Sequence, residues 1–398
     1  MSDARYINKG FGLKQVIGDQ VVRDYASALV DRMRASGFSL TAGDLTFHLA
    51  QEFGFCYGVD RAIEYAYETR EKFPDKRVFI TGEIIHNPRV NGRLSDLGIR
   101  FLDGSDATAA FDALTSDDVV LLPAFGVPVA TMAVLRQAGC IVVDTTCGSV
   151  LNVWKNVERY ARDGFTALIH GRFDHEETRA TASRALLHPG GHFLVVLNME
   201  EARLAASYVE QGGDAGAFRA RFEHAISPGF DPDVQLMRLG CANQTTMLSG
   251  ESLAIAERMR QALVARFGAD EAAGRFRAFD TICSATQERQ DALGALLAAR
   301  RLDVLLVIGG YNSSNTTHLL EIGLERGVPT FHIQDASCIV GADSIRHQPL
   351  HGKEETATHG WLPGGEAAIG VTAGASTPNA EIERVIRRVA RFRGIEPA

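Results

Sequence analysis

The chain has 398 residues, of which 45% are hydrophobic and 23% are charged, and its formal net charge is −8. This length favours two or three domains of roughly 100 to 150 residues, and the composition is typical of a globular protein. The negative charge argues against nucleic acid or an anionic membrane as a partner.

The N-terminal segment 1–6 lacks the apolar core of a secretory signal, so we expect a cytoplasmic protein. The apolar stretch 119–135 contains Pro123, Gly126 and Pro128, which argues against a membrane span. The 6 cysteines include no C-x-x-C pair. This pattern predicts reduced thiols and argues against a zinc ribbon or a thioredoxin-like site.

Taken in chain order, the sequence opens with an N-terminal extension, 1–50, with a predicted helix over 17–36 and a strand leading to residue 50. Strands and helices then alternate, and helices are predicted around 255–267 and 382–392. The predicted strands are short and rich in branched residues, as strands buried on both faces should be. They are 78–80, 119–122, 141–143, 167–169, 193–197, 234–237, 304–308, 330–333 and 368–371. The alternation predicts an α/β fold with parallel sheets, whose sites collect at the carboxyl ends of strands.

Three cysteines, Cys56, Cys147 and Cys283, each stand where a predicted strand gives way to a helix. A helix N-terminus favours the thiolate, which is the form of cysteine that binds metal. We therefore predict that these three cysteines meet at one metal centre. The remaining cysteines lack this setting, and we predict that Cys140, Cys241 and Cys338 are structural.

The cysteine junctions also indicate a weak threefold repeat. This repeat predicts three α/β units after the extension 1–50, which are 51–147, 148–282 and 283–398. Residues 210–232, rich in glycine and alanine, are interpreted as an exposed insertion in the second unit.

The kind of metal centre is open at this point. A cluster of four irons held by three cysteines leaves one iron open, which can bind a substrate as a Lewis acid and pass electrons to it. Zinc with three cysteines is the alternative, although its cysteines more often come in close pairs. Each cysteine taken alone is more often a buried apolar residue.

Polar side chains follow several of the predicted strands. His175 and Glu177 could form an acid/base pair with Glu177 as proton donor, although the helix dipole alone favours acidic residues there. The turns 244–246, 312–317 and 372–378 offer hydroxyls, amides and backbone N–H groups to a phosphate, or merely cap their helices. His86 adds a further imidazole, although a lone histidine is weak support.

Taken together, these segments resemble the LytB/IspH family of 4-hydroxy-3-methylbut-2-enyl diphosphate reductases, which catalyse the last step of the non-mevalonate isoprenoid pathway. The resemblance runs in the family's order over about residues 45–393. Its motifs are GFCYGVDRA, GEIIHNPRV, DTTCGSV, HGRFDHEETRATAS, NQTT, TICSATQERQ, GGYNSSNTTHL and GVTAGAST.

The resemblance implies three α/β units in a trefoil around one 4Fe-4S cluster, held by Cys56, Cys147 and Cys283. It implies Glu177 as proton donor and a set of substrate-binding residues, which are His86, His175, Thr245, Ser313, Ser314, Asn315 and Ser376. The implied reaction is reductive dehydroxylation of the allylic diphosphate to isopentenyl and dimethylallyl diphosphate. No GxGxxG run follows a strand, so we expect electrons from a separate carrier such as ferredoxin or flavodoxin.

One position departs from the pattern of the shorter bacterial members. Phe125 stands where those members have a histidine, so one diphosphate contact should be missing. The N-terminal extension, the HGRFDHEET segment and the insertion are more similar to the plastid and cyanobacterial branch.

Three other functions are weighed. An aconitase-like hydro-lyase also leaves one iron open, but acts on carboxylates without net redox change. A non-catalytic iron–sulfur sensor would not need three turns suited to phosphate. An unrelated α/β protein with incidental cysteines is the least specific interpretation.

Overall fold

A computed structural model describes residues 5–102, 107–279 and 281–396. The strands are β1 Tyr6–Ile7, β2 Ser39–Ala42, β3 Leu45–Leu49, β4 Val78–Ile80, β5 Ile99–Phe101, β6 Val119–Leu122, β7 Ile141–Asp144, β8 Thr166–His170, β9 Phe193–Val196, β10 Leu239–Asn243, β11 Phe276–Ala278, β12 Val304–Ile308, β13 Thr330–Ile333, β14 Ser344–His347, β15 Thr356–His359 and β16 Ala367–Ala373. The helices are α1 Lys14–Tyr25, α2 Ala28–Ala35, α3 Tyr57–Lys72, α4 Pro88–Asp96, α5 Ala107–Asp112, α6 Val129–Ala138, α7 Gly148–Arg162, α8 Glu176–Ala185, α9 Met199–Gln211, α10 Ala215–Arg221, α11 Pro232–Gln235, α12 Ser249–Phe267, α13 Ala269–Ala273, α14 Ser284–Ala299, α15 Ser314–Glu325 and α16 Asn379–Arg391.

The chain divides into two compact units, and each is built from two separate stretches of sequence. Unit 1 comprises Met1–Ile7 and Leu102–Cys283, and unit 2 comprises Asn8–Phe101 and Ser284–Ala398. The predicted α/β class with mainly parallel sheets is confirmed. The division into three repeated units stays a prediction.

Unit 1 contains a fully parallel sheet of order β11-β10-β8-β9, and β7 lies between β1 and β6 in a second set of parallel strands. Every residue of β8 is buried, as expected where helices cover both faces of a sheet. Tyr160 of α7 packs so closely on β10 that a Cβ at Gly240 would lie 2.3 Å from its ring. Only glycine fits at that position, and the Tyr160 hydroxyl donates to the Cys241 carbonyl at 2.9 Å.

Unit 2 contains a sheet of order β13-β12-β16-β3-β2, parallel except for the antiparallel pair of β2 and β3. Strand β3 pairs with β16, which places Phe47 opposite Ile369 in the core. One face of α16 packs into this core through Ile382, Val385, Ile386 and Val389. The unit also has a parallel pair, β4 and β5, and an antiparallel pair, β14 and β15.

Two local predictions are wrong. The helix expected over 17–36 is two helices, because Ser27 is in extended conformation and its hydroxyl accepts the Val30 N–H at 3.0 Å, which starts α2. The strand expected over 234–237 is instead the helix α11 and a turn, because the Asp231 side chain accepts the Asp233 N–H and Pro232 suits a first helical position. The strand at this place in the sheet is β10.

More than half of residues 210–232 are exposed, as expected of an excursion, but the segment is anchored in the core. Asp214 caps α10, and three phenylalanines of this segment are buried in the main core of unit 1. The ring of Phe218 lies 4.7 Å from that of Phe222 and 6.3 Å from that of Phe230. Among the described residues, no helix combines the length and apolar character needed to cross a bilayer.

Candidate active site

The predicted site residues all follow the carboxyl ends of parallel strands, as the α/β rule requires. In unit 1 they are Phe125 after β6, Cys147 after β7, His175 and Glu177 after β8, Thr245 after β10 and Cys283 after β11. In unit 2 they are Cys56 after β3, His86 after β4, Ser313, Ser314 and Asn315 after β12, and Ser376 after β16.

Cys56, Cys147 and Cys283 stand immediately before α3, α7 and α14, as predicted. All three are partly exposed, whereas the other cysteines are buried. Burial raises the pKa of Cys140 to about 11 and that of Cys241 to about 12, and it also raises the pKa of Cys338. The structure therefore separates thiols suited to a metal from thiols that stay protonated, although the convergence of the first three stays a prediction.

The turn of Cys147 is joined to the loop that follows β6. The Cys147 N–H donates to the Ala124 carbonyl at 2.8 Å, and the Thr145 hydroxyl donates to the Leu122 carbonyl at 2.6 Å. Cys147 also packs against a small buried cluster, which consists of Val150, Trp154 and Ala180. These contacts give the thiol an apolar surrounding on one side.

Phe125 lies in the same loop and contacts the next predicted residue, His175. The two ring centroids are 6.4 Å apart, and the planes meet at 70°, which is an edge-on contact. The phenylalanine that replaces a histidine of the shorter bacterial members therefore packs against an imidazole within unit 1.

His175 caps α8, where its Nδ1 accepts the backbone N–H of Glu177 at 3.1 Å. A ring nitrogen that accepts carries no proton, so the proton of the neutral imidazole lies on Nε2. His175 can thus offer an N–H donor to an anionic ligand.

Glu177 is only 3% exposed, and both of its carboxyl oxygens accept bonds from Thr245. The Thr245 backbone N–H lies 2.6 Å from Oε1, and the Thr245 hydroxyl lies 3.1 Å from Oε2. The carbonyl of the same threonine accepts the Cys283 N–H at 3.2 Å. Thr245 therefore holds the predicted proton donor with its amide and hydroxyl and the third cysteine with its carbonyl.

Gln244 is a positioning residue that the sequence reasoning did not single out. Its Oε1 accepts the Arg172 N–H at 3.2 Å and the Thr178 hydroxyl at 3.0 Å. A Cβ at Gly171 would lie 2.9 Å from the Cβ of Gln244, so the loop carrying His175 passes close to this side chain. The only sequence signal was that Gln244 stands beside Thr245 in the NQTT segment.

In unit 2, the turn before Cys56 is shaped by glycine and by a buried arginine. Gly54 has φ +78°, and a Cβ there would lie 2.9 Å from the side chain of Asn379. Arg289, which is buried, donates from Nη2 to the Gly54 carbonyl and from Nη1 to the Ala285 carbonyl, both at 2.7 Å. Sequence reasoning missed Arg289, although it lies within the TICSATQERQ motif.

The turn after β16 joins Cys56 to the predicted diphosphate residues. The Cys56 N–H donates to the Ala375 carbonyl at 3.2 Å, and the Ala375 N–H donates to Oδ1 of Asn315 at 3.1 Å. Asn315 is 2% exposed, and its Nδ2 donor has no hydrogen-bond partner among the residues that the structure describes. A buried amide without a partner is costly, so this donor is available for a ligand oxygen.

Ser376 and His86 meet within the same unit. The Ser376 hydroxyl donates to the His86 carbonyl at 3.1 Å, and the His86 Nδ1 lies 2.9 Å from Oε2 of Glu83. Because a carboxylate accepts, Nδ1 of His86 carries a proton. A Cβ at Gly310 would lie 2.3 Å from the His86 carbonyl, so this loop needs glycine there.

Ser313 and Ser314 stand at the start of α15, and the N–H groups of a first helical turn can bind an anion. The Ser313 side chain caps the helix by accepting the Thr316 N–H at 3.4 Å. Behind the loop, burial lowers the pKa of His332 to about 4, so the neutral ring donates from Nε2 to the Gly309 carbonyl at 3.0 Å. The two serines and Asn315 are therefore presented on a supported turn.

With this geometry established, known proteins can be compared. A sequence profile of the LytB protein family matches residues 47–390. The chain belongs to the LytB protein family. The predicted family is thereby confirmed.

Two LytB-family relatives are named 4-hydroxy-3-methylbut-2-enyl diphosphate reductase. The protein of Gloeobacter violaceus is 48% identical over 399 residues, which cover 99% of this chain and 94% of the relative. The protein of Thermosynechococcus vestitus is 46% identical over 394 residues, which cover 99% of this chain and 96% of the relative. These relatives are cyanobacterial, in agreement with the predicted branch.

Solved structures agree with the family assignment. One is (E)-4-hydroxy-3-methyl-but-2-enyl diphosphate reductase, described as the terminal enzyme of the non-mevalonate pathway. Its TM-score is 0.50 and its sequence identity is 28%, and the alignment covers 87% of this chain and 99% of that chain. The E-1-hydroxy-2-methyl-but-2-enyl-4-diphosphate reductase of Plasmodium falciparum has a TM-score of 0.59 at 21% identity, covering 85% and 86%, and shows likeness of fold alone. These likenesses support the predicted trefoil fold class.

Proposed function

We propose that this protein is a 4-hydroxy-3-methylbut-2-enyl diphosphate reductase, which removes the allylic hydroxyl to give isopentenyl and dimethylallyl diphosphate. The observation that carries the proposal is the buried Glu177 carboxyl, held at both oxygens by the threonine whose carbonyl binds the Cys283 amide. Membership of the LytB family and the names of its relatives support the same reaction.

The reaction needs a metal cofactor that can carry electrons, and the proposal assigns one 4Fe-4S cluster to Cys56, Cys147 and Cys283. The donor set suits such a group, because these three thiols are partly exposed at helix N-termini while the other cysteines are buried. When bound, the cluster would pass on the two electrons that an external donor supplies one at a time, and it would offer an iron site for the substrate oxygen.

The diphosphate is assigned to neutral donors. Asn315 offers its Nδ2, which has no partner within the described part of the chain. Ser313 and Ser314 stand at the start of α15, and Ser376 lies beside His86. His175 offers Nε2–H, and Thr245 offers its hydroxyl. Helix N-termini and hydroxyls can bind phosphate in this way with little help from lysine or arginine.

Glu177 is assigned the proton that leaves with the hydroxyl. In the overall reaction, the substrate takes up two electrons and two protons, the allylic C–O bond breaks, and water departs. Thr245 holds the Glu177 carboxyl in place, and its hydroxyl can turn between Oε2 and the substrate. Phe125 offers no hydrogen bond to phosphate, so its proposed role is to pack His175 and limit water near the reacting carbon.

The electron donor is proposed to be a separate carrier protein of the ferredoxin or flavodoxin type. A cytoplasmic location stays a prediction from the sequence.

The test is anaerobic purification of the full chain with iron counting, Mössbauer spectroscopy and product analysis. We expect about four irons per chain and formation of both diphosphate products only when a chemical reductant such as reduced methyl viologen is present. Cys283→Ser should lose the brown colour and the activity, whereas the matched control, Cys338→Ala, should keep both.

Three results would contradict the proposal. Turnover without a reductant would indicate a hydro-lyase. An intact cluster that never turns over the allylic diphosphate would indicate a sensor. Equal iron loss in both cysteine variants would remove Cys283 from the cluster.

A further inference from the structure

A group of arginines stacks on aromatic rings at one edge of unit 1. We call it the arginine face, and it consists of Arg159, Arg162, Arg238, Arg277, Phe165 and Phe279. The guanidinium carbons of Arg238 and Arg277 lie 4.3 and 4.2 Å from the Phe165 ring centroid. That of Arg159 lies 4.7 Å from the centroid of Phe279. Such stacking holds the guanidinium planes in fixed positions.

The arginine face is basic in a chain whose net charge is −8. Asp163 pairs with both Arg162, at 3.1 Å, and Arg277, at 2.6 Å, so one carboxylate is shared by two arginines. The adjoining Arg275 is paired with Glu271. The face nevertheless keeps a positive excess, since Arg159 and Arg238 stack on rings and lie in neither of these ion pairs.

Two arginines and one ring of this face are exposed, while Phe165 is buried beneath the guanidinium groups that stack on it. The Arg162 side chain is 62% exposed, and Arg238 is also exposed. Phe279 is 46% exposed although it is a large aromatic residue. Exposed aromatic rings framed by arginine are the composition found at the centre of protein interfaces.

The arginine face leads directly to the third cysteine. Ala278 pairs with Cys241 in register, and the Cys283 N–H donates to the Thr245 carbonyl, so Ala278 lies beside β10 and Cys283 beside the turn that follows β10. Four residues of extended chain span at most roughly 14 Å. The exposed Phe279 ring is therefore a short distance from a proposed cluster ligand. Arg159 stacks on the Phe279 ring, whereas Arg162, in the last turn of α7, is roughly 20 Å along that helix from Cys147, so the approach from this face to the cluster is through Phe279.

We propose that the arginine face is the docking surface for a small acidic electron-carrier protein. This inference rests on the proposed function, which requires two electrons per turnover. Two reduced one-electron carriers would each bind, donate one electron and leave oxidised, while the substrate gains the two electrons with two protons and loses water. Carboxylates of the carrier would pair with the guanidinium groups, and its apolar rim would cover Phe279.

The test uses the double variant Arg162→Glu/Arg238→Glu, since both side chains are exposed and neither belongs to the proposed catalytic machinery. The control is Arg203→Glu, which makes the same charge change at an exposed arginine of α9. Binding of a purified acidic plant-type ferredoxin is measured by titration calorimetry at low and high salt. Turnover is measured with reduced ferredoxin and, separately, with reduced methyl viologen.

We expect the double variant to bind ferredoxin about tenfold more weakly or worse at low salt, with a smaller difference at high salt. Its turnover with ferredoxin should fall, while its turnover with methyl viologen, its iron content and its thermal midpoint match the parent protein. The Arg203 variant should match the parent protein in every measurement.

Unchanged ferredoxin affinity in the double variant would overturn the docking surface, as would an equal loss in the Arg203 variant. If charge reversal lowers the thermal midpoint, the variant Arg162→Gln/Arg238→Gln is used instead. We then expect the same changes in ferredoxin binding and turnover, but smaller ones. Failure of the parent protein to turn over with methyl viologen would refute the proposed function. Ferredoxin binding would still test the surface in that case.

Discussion

At the scale of single residues, the decisive feature is a buried carboxyl group whose two oxygens both accept hydrogen bonds from one threonine. Glu177 takes its bonds from a backbone amide and a hydroxyl, both of Thr245. Neutral hydrogen-bond donors of this kind hold a carboxyl in place without adding a positive charge that would favour its ionised form.

Glu177→Gln should test this role. Glutamine can keep the bond from the Thr245 amide, but it cannot release a proton, so we expect turnover to fall by about a hundredfold or more with iron content unchanged. The measurement is steady-state turnover with reduced methyl viologen, beside iron counting. Glu200→Gln makes the same change at an exposed position in the first turn of α9 and should leave turnover close to that of the parent protein. Full activity in Glu177→Gln would remove Glu177 from the proton path.

The local settings of several candidate residues were predictable from the sequence around them. Cys56 and Cys147 directly precede helices that follow strands, and Glu177 lies in the first turn of such a helix. The partners that position them were not predictable, because they lie far away in the chain. Thr245 is separated from Glu177 by 68 positions in the sequence, and Arg289 is separated from Gly54 by 235. The local sequence around these residues does not indicate that they pair.

At the scale of elements, the turn between β3 and α3 depends on one side chain of α14. Arg289 bridges the Gly54 and Ala285 carbonyls, so it ties the start of α14 to the turn that presents Cys56. Loss of the guanidinium would leave the carbonyl of a buried glycine without this donor, which is unfavourable in a dry interior.

Arg289→Met should therefore loosen the Cys56 turn without changing a proposed ligand. We expect fewer irons per chain after purification and faster loss of the iron–sulfur absorbance in air, with a smaller loss of turnover per iron. Arg301→Met makes the same replacement at an exposed arginine after α14 and serves as the control. Normal iron content and air stability in Arg289→Met would show that the turn holds its shape without the guanidinium.

Most elements followed from periodicity and composition, because buried parallel strands are compact runs of branched residues. The exceptions have physical causes. Residues 234–237 look like a strand, but the capping side chain of Asp231 and the proline after it start a helix. Strand β10 escaped prediction because its sequence, LGCAN, contains the glycine that Tyr160 packing requires.

At the scale of the whole molecule, the segment 210–232 belongs to the core of unit 1. Phe222 is 2% exposed and stacks in a cluster with Phe218. Its glycine and alanine content predicted a surface excursion, but three buried phenylalanines anchor it, since each aromatic side chain can bury about 150 to 250 Å².

Phe222→Ala should lower the free energy of unfolding by about 3 to 5 kcal/mol, through lost burial and the cavity left behind. The measurement is urea unfolding followed by circular dichroism. Val234→Ala shortens a side chain that is 60% exposed nearby and should change stability by less than about 0.5 kcal/mol. A similar small effect in both variants would mean that the segment packs only loosely.

The pairing of β3 with β16 has a consequence for biogenesis. The turn that presents Cys56 rests on a strand that pairs with residues 367–371, and its own amide bonds to Ala375. A ribosome must therefore have made nearly the entire polypeptide before this thiol acquires its native surroundings. Metal delivery to Cys56 is expected to follow translation, carried out on a finished chain by whatever assembly proteins the cell provides.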